Sequence, residues 1–157
     1  MKLGDLEEPA LYKIPLVYCQ TMTIRFDDLD PYGHVNASRY IDLVGSSRLI
    51  YVSRTLGLSP ETIIARGCGW FLKHVECSYR RPIQGLSDVV ISSWLESRPI
   101  DSQFPVIFQI CDTSSKRVFA EGKLTYSTME LNTGKPSNLP EWLIPFLFSM
   151  SEAVDKC

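Results

Sequence analysis

The sequence predicts a single α+β domain in which an antiparallel sheet of about five strands curls around one long helix. A strand-like segment of alternating polar and apolar residues comes first, a long segment of helical periodicity follows, and further strand-like segments complete the chain. The 157 residues have the length of one domain and contain no linker that would divide them. A sheet of this size must bury its apolar face, and only the long helix is large enough to cover it.

The first predicted strand covers residues 17–26. Tyr18, Met22, Ile24 and Phe26 fall on one face, and mostly polar side chains fall on the other. This alternation is typical of a strand with one buried face. The acids, the proline and the glycine that come next predict a loop.

The long helix is predicted over residues 37–56. Apolar and small side chains recur there at spacings of three and four, which places them on one helical face. Asn36 is predicted to cap its start and Gly57 to end it. Gly45, in the middle, lowers helix stability by about 1 kcal/mol relative to alanine, and we interpret it as a point of close packing against the sheet.

The rest of the chain predicts four strands and a short C-terminal helix. The strands are separated by turns, and the last three form an antiparallel meander. They cover residues 68–80, 87–98, 104–112 and 117–129. A helical turn is expected after Ser59-Pro60, and the C-terminal helix covers about residues 140–154, with Pro140 in its first turn.

Composition and charge argue against several classes of protein. The formal net charge of −2 predicts no binding to nucleic acid or to a membrane surface. No apolar run approaches the roughly 18 residues of a membrane span, and the N-terminus lacks the apolar core of a secretory signal. The 5 cysteines are odd in number and form no C-x-x-C pair. This pattern is typical of a reduced, cytoplasmic protein rather than of a disulfide framework or a zinc site.

The loop between the first strand and the helix contains residues of the types that catalyse acyl chemistry. Asp30, His34 and Asn36 surround Gly33 and lead into the helix. The first N–H groups of a helix are unpaired and can polarise a carbonyl, on which a nearby carboxylate can act as nucleophile or general base. Spacing alone favours a simpler interpretation, a solvated turn of acids in which one caps the helix.

A family resemblance favours the catalytic interpretation of this loop over the solvated turn. The chain resembles the hot-dog-fold thioesterases of the 4-hydroxybenzoyl-CoA thioesterase type in the segment Asp28-x-Asp30-x-x-Gly33-His34-Val35-Asn36-x-x-x-Tyr40. The segment is also similar to the Asp-x-x-x-His-Val-Asn segment of acyl-ACP thioesterases. The resemblance covers residues 17–131 and includes Tyr79-x-x-Pro82 and Ala120-x-Gly122. It implies a hot-dog domain that hydrolyses acyl-CoA or acyl-ACP without a metal or other cofactor, as a homodimer or homotetramer.

The resemblance also implies roles for single residues. Asp30 matches the catalytic carboxylate, and Ala37 matches the position whose backbone N–H polarises the thioester carbonyl. His34 and Asn36 match residues that orient the substrate, the carboxylate or a water molecule. The candidates for substrate binding lie in the loop, along the acyl pocket and in a basic cluster for phosphates: Tyr32, Gly33, Tyr40, Trp70, Phe71, Arg80 and Arg81.

The sequence departs from the family pattern at two positions. Tyr32 stands where the acyl-ACP thioesterase segment has an asparagine, and Gly45 stands where many relatives have a helix glutamate. Asp30 is therefore the candidate carboxylate, and Asp27 and Asp28 are assigned to a solvated turn. Two alternatives stay open: an acyl-thioester-binding protein without catalysis, and a hydratase or dehydratase. The latter's His-Phe-Pro setting is absent, and His74 is interpreted as a residue of the sheet face.

Overall fold

The computed structural model describes residues 14–99 and 101–149. Its helices are α1 (Arg39–Ile50) and α2 (Pro60–Ala65). Its strands are β1 (Ile14–Pro15), β2 (Tyr18–Thr23), β3 (Cys68–Tyr79), β4 (Asp88–Leu95), β5 (Gln103–Asp112), β6 (Val118–Glu130), β7 (Lys135–Pro136) and β8 (Phe148–Ser149).

The main sheet is antiparallel and has the strand order β2-β4-β5-β6-β3, and β7 extends it beside β6. A separate pair joins β1 to β8. All five predicted strands of the main sheet are confirmed, and so is the meander from β4 to β6. Phe26 was assigned to the first strand wrongly: β2 ends at Thr23, and Phe26 lies in a short turn of 3-10 helix with 82% of its surface exposed.

The sheet requires glycine at one close approach between β3 and β6. Gly122 lies opposite Cys77 in the register of these strands. A Cβ atom added to Gly122 would lie 1.9 Å from the backbone oxygen of Glu76. No larger residue fits there unless the backbone moves.

Helix α1 lies across β2 and β4 and buries one face against the sheet. The buried residues of this face are Tyr40, Leu43, Val44 and Ser47. The core that contains this face also contains fully buried side chains of the strands, including Phe108, Ile110 and Leu124. The predicted arrangement, a curled sheet around one long helix, is therefore correct.

The start of α1 differs from the prediction by two residues. Asn36 accepts a hydrogen bond on its backbone oxygen from the Arg39 N–H (2.8 Å), and its Oδ1 accepts another from the Ser38 N–H (3.0 Å). These bonds close a turn ahead of the helix, so Ser38 and not Asn36 occupies the N-cap position, although the Ser38 side chain makes no capping hydrogen bond. The end agrees with the prediction, because a π-helical turn follows α1 and Gly57 then takes a positive φ of 70°.

The predicted C-terminal helix is shorter in the structure and is not an α-helix. Glu141–Phe146 form a 3-10 helix that contains Pro145, and the chain then enters β8. Proline has no N–H for the hydrogen bonds of a longer α-helix, which explains the early end. The remainder of the predicted helix, residues 150–154, lies outside the described residues.

The cysteines depart in part from the expected reduced state. Cys68, Cys77 and Cys111 carry free thiols, whereas Cys19 is disulfide-bonded. No described helix is both long enough and apolar enough to span a bilayer. Within the described ranges, no group of three or more His, Cys, Asp or Glu side chains is arranged to hold a metal ion.

Candidate active site

The loop ahead of α1 folds into a small hairpin closed by a tight turn. The Gly33 N–H donates to the Asp30 backbone oxygen (3.0 Å), and the Asp30 N–H donates to the His34 backbone oxygen (2.7 Å). Aspartate first, proline second and glycine fourth is a favoured sequence for such a turn, and Gly33 supplies the positive φ of 75°. The Asn36 N–H donates to the Asp28 backbone oxygen (2.8 Å) and closes the base of the hairpin.

This turn fixes one oxygen of the Asp30 carboxylate. Asp30 Oδ1 accepts hydrogen bonds from the Tyr32 N–H (2.9 Å) and the His34 N–H (3.1 Å). Its other oxygen, Oδ2, has no hydrogen-bond partner among the described residues, and the side chain is half-buried. The carboxylate is thus held in one orientation with one oxygen available for chemistry.

The hairpin is docked on the chain segment that follows β3. The Val35 N–H donates to the Ile83 backbone oxygen (2.9 Å), and the Gly85 N–H donates to the Gly33 backbone oxygen (3.0 Å). The His34 ring contacts Gln84, with 3.4 Å between His34 Nε2 and Gln84 Nε2. His34 therefore orients Asp30 through its backbone N–H, while its ring lies against Gln84.

Ala37 occupies the second position of the turn that leads into α1. Its N–H donates to no acceptor in the part of the chain that the structure describes, and the residue is exposed. The Tyr79 hydroxyl donates to the Ala37 backbone oxygen (3.1 Å), and the Tyr79 ring packs edge-on against Tyr40 at 4.9 Å. The Tyr-x-x-Pro pattern that contains Tyr79 does not predict this contact from the sequence.

The two acids before Asp30 differ from each other. Asp27 is exposed and pairs with Arg25 at 2.7 Å, as expected for a solvated turn. Asp28 was assigned to the same turn wrongly. Its side chain is only 13% exposed, it accepts a hydrogen bond from the Arg25 N–H (2.7 Å), and it lies 3.8 Å from Arg39 Nε. Asp28 stabilises the loop and the start of α1.

The aromatic candidates occupy different environments. Tyr32 extends into solvent with 84% of its surface exposed. Tyr40 is buried in the core, where its hydroxyl accepts a hydrogen bond from the Ile83 N–H (3.4 Å) and burial raises its pKa. Phe71 lies partly exposed on β3, and Trp70 is half-buried.

A cavity of about 250 Å³ lies between α1, the sheet and the C-terminal 3-10 helix. Trp70 lines this cavity, whereas Tyr40 and Phe71 do not. Its walls are Tyr18, Gly45, Arg48, Leu49, Val52, Leu58, Trp70, Phe104, Tyr126, Leu143, Phe146 and Leu147. Gly45 was expected to pack closely on the sheet, and this expectation is wrong. A Cβ atom at Gly45 would meet no atom within 4 Å, so the missing side chain leaves space beside the helix.

The basic candidates lie at the end of β3. Arg80 donates to Glu121 through Nε (3.0 Å), and this hydrogen bond lowers the pKa of Glu121. Arg81 is exposed and pairs with no carboxylate among the described residues. His74 lies on the exposed face of β3 beside Glu76 (3.4 Å), as its interpretation as a sheet-face residue predicts.

Comparison with known families decides the class of protein. A model of the thioesterase-like superfamily matches residues 24–147. The chain belongs to this superfamily. A search of the curated proteins found no match.

Solved structures of other proteins share the fold of this chain. A probable thioesterase from Escherichia coli, YbaW, is 21% identical over 82% of this chain and 94% of its own, with a TM-score of 0.69. A DHNA-CoA thioesterase from Staphylococcus aureus is 18% identical over 83% and 85%, with a TM-score of 0.72. A hypothetical protein from the same organism, solved in complex with CoA, is 11% identical over 82% and 80%, with a TM-score of 0.71. The fold of this thioesterase-like chain is therefore the hot-dog fold that the resemblance implied.

Proposed function

We propose that this thioesterase-like protein hydrolyses acyl-CoA thioesters to a free acid and CoA, with Asp30 as the catalytic carboxylate. The observation that carries the proposal is the state of Asp30. One carboxylate oxygen is fixed by two backbone N–H groups, and the other has no partner among the described residues. The unpaired N–H of Ala37 follows in the same loop. A carboxylate and a free donor at a helix entrance are what attack on a carbonyl requires.

Two routes through Asp30 lead to the same products. As a nucleophile, Asp30 Oδ2 bonds to the carbonyl carbon, the thiolate leaves, and water then hydrolyses the mixed anhydride and restores the carboxylate. As a general base, Asp30 takes a proton from a water molecule, whose oxygen bonds to the carbonyl carbon before the thiolate leaves with a proton. In both routes the Ala37 N–H stabilises the oxyanion that forms on the carbonyl oxygen.

The substrate is proposed to be carried by CoA, and acyl-ACP is the alternative. The relative solved with CoA supports the first choice. Arg81, exposed and without an ion pair among the described residues, is proposed to contact the CoA phosphates. Arg80 is proposed to join it only where the phosphates displace Glu121.

Release of free thiol tests the proposed function. A panel of acyl-CoAs and the matching acyl-ACPs is incubated with the protein, and thiol is measured with a thiol reagent. We expect thiol from at least one acyl-CoA at a rate well above the background. Change of double-bond absorbance without thiol would identify a hydratase or dehydratase. Saturable binding of acyl-CoA without turnover would identify a binding protein, and either outcome would refute the proposal.

The cavity is proposed to hold the acyl group of the substrate, and substitutions of Gly45 test this proposal. Alanine at this position should raise the free energy of unfolding by about 1 kcal/mol, because a helix interior disfavours glycine and the space is open. Leucine should fill part of the cavity and lower kcat/KM for longer acyl chains more than for acetyl-CoA. If Gly45→Leu changes kcat/KM by the same factor, relative to the parent, for all chain lengths, the acyl group binds elsewhere.

The protein is proposed to form a homodimer, alone or within a tetramer, through the outer edge of β3. This strand is at the end of the main sheet, and the apolar side chains Phe71, Leu72 and Val75 are each 38–39% exposed along it. Unpaired strand edges with apolar side chains favour pairing with a second chain. Light scattering should give at least twice the mass of one chain, and Val75→Lys should reduce this mass. A parent protein with the mass of one chain at micromolar concentration would contradict the proposal.

A further inference from the structure

The cavity beside α1 has mostly aromatic and aliphatic walls, but one of the side chains that line it is a positively charged arginine. The aromatic walls are Tyr18, Trp70, Phe104, Tyr126 and Phe146, and Arg48 lines the cavity from the helix. Its volume of about 250 Å³ exceeds the roughly 150 Å³ in which an engineered cavity holds benzene. The cavity is therefore large enough for an aromatic ring or for an acyl chain of medium length. The chemistry of its walls indicates which functional group such an occupant carries.

The Arg48 guanidinium has no anionic partner among the described residues. Its Nη1 donates to Ser93 Oγ (2.8 Å), and its central carbon lies 4.5 Å from the centre of the Tyr18 ring. A guanidinium has five N–H donors, so most of them are left without an acceptor by these contacts. Burial lowers the pKa of Arg48, because desolvation disfavours the charged form of its guanidinium.

The hydroxyl groups around Arg48 leave one further donor available. The Tyr18 hydroxyl donates to the Phe146 backbone oxygen and is not free. The Tyr126 hydroxyl has no hydrogen-bond partner in the described part of the chain, and Tyr126 lines the same cavity. An occupant with several acceptor oxygens and a negative charge would satisfy both groups. A carboxylate has this chemistry, and it pairs with a guanidinium through two parallel hydrogen bonds.

We propose that the cavity accepts acyl groups that end in a carboxylate, and that Arg48 binds this carboxylate. The proposal rests on the proposed thioesterase function, since it names the substrate class of that site. Arg48 lies nine residues beyond Arg39, the first residue of α1, or about 14 Å along the helix axis. The thioester would lie at the start of the helix and the carboxylate near Arg48, so the substrate is a dicarboxylic acid joined to CoA through one end.

Hydrolysis of paired substrates tests the proposal. Adipoyl-, suberoyl- and sebacoyl-CoA are each compared with hexanoyl-, octanoyl- and decanoyl-CoA. The parent protein should prefer the carboxylated member of at least one pair. Arg48→Met keeps most of the side-chain volume. It should lower the ratio of kcat/KM for that substrate to kcat/KM for its uncharged partner roughly 10–100-fold, the effect of losing a charged hydrogen bond. The matched control is Arg54→Met, because Arg54 is exposed one and a half turns further on and does not line the cavity.

A binding measurement separates this proposal from the proposed function. Calorimetric titration of the parent and Arg48→Met with octanoate and with octanol does not depend on hydrolysis. Octanoate should bind the parent at least about tenfold more tightly than the variant, and octanol should bind both equally. If no thioester is hydrolysed, the hydrolase proposal fails while this titration still decides the Arg48 site. The proposal would be overturned if the parent hydrolysed both members of every substrate pair equally well, or if the parent and Arg48→Met bound octanoate equally tightly. The comparison of substrate pairs uses the parent alone, so it decides the proposal even if the variant does not fold.

Discussion

Asp30→Asn is expected to lower kcat for acyl-CoA hydrolysis by roughly 10²–10⁴-fold, the range for loss of a general base or nucleophile. Asparagine keeps the size of the side chain and an oxygen that accepts the Tyr32 and His34 N–H groups, so the turn should persist. Only the basicity of the free oxygen is lost. The affinity for acyl-CoA should change much less than kcat, because the interaction is made in the transition state. Steady-state kinetics and the melting temperature check both statements.

The neighbouring acids provide controls for Asp30. Asp27→Asn should leave kcat within a few-fold of the parent, since Asp27 is exposed and pairs with Arg25 alone among the described residues. Asp28→Asn is a different control, because Asp28 is largely buried and supports the loop. It should lower the melting temperature together with activity, whereas Asp30→Asn should lower activity alone. A loss of melting temperature in Asp30→Asn equal to that in Asp28→Asn would assign Asp30 a structural role.

Ala37→Pro is expected to lower kcat by roughly 10²–10³-fold, the typical effect of losing one oxyanion donor. Proline removes the Ala37 N–H, which has no acceptor among the described residues, so no hydrogen bond of the fold is lost. The position also suits proline. Ala37 is the second residue of the turn closed by the Arg39 N–H and the Asn36 backbone oxygen (2.8 Å), where proline is favoured.

Ala37→Gly is the matched control for this variant. It removes the methyl group but keeps the N–H, so kcat should stay within a few-fold of the parent. Circular dichroism and the melting temperature establish that both variants fold. If Ala37→Pro folds and hydrolyses acyl-CoA as fast as Ala37→Gly, the donor that polarises the carbonyl lies elsewhere in the protein.

Elements with a strong local signal could be predicted from the sequence. Strands β2 to β6 have alternating or strongly β-forming residues between clear turns. The short turns between β4, β5 and β6 also predict that these three strands pair in chain order. The end of the long helix was predictable because Gly57 supplies the positive φ that follows the last helical turn. Asp30 stood out through the motif around it, and the sequence of its turn agrees with the hydrogen bonds that hold its carboxylate.

Features that depend on distant contacts could not be predicted. Asp27 and Asp28 are adjacent and alike in sequence, yet only Asp28 meets the start of α1 through Arg39. The sequence predicts close packing at Gly45, because it does not reveal how far the sheet lies from the helix, and the structure shows open space there. Arg48 has the expected chemistry of a surface residue, and only the fold shows that it enters a cavity.

Single-turnover hydrolysis tests the central claim, that Asp30 performs the chemical step, most directly. With the protein in large excess over one acyl-CoA and at a concentration that saturates binding, the rate does not depend on substrate affinity or product release and reports the chemical step. The parent, Asp27→Asn and Asp30→Asn are compared at equal substrate occupancy. We predict equal rates for the parent and Asp27→Asn, and a rate at least about 100-fold lower for Asp30→Asn. Hydrolysis by Asp30→Asn within a few-fold of the parent would contradict the proposed mechanism.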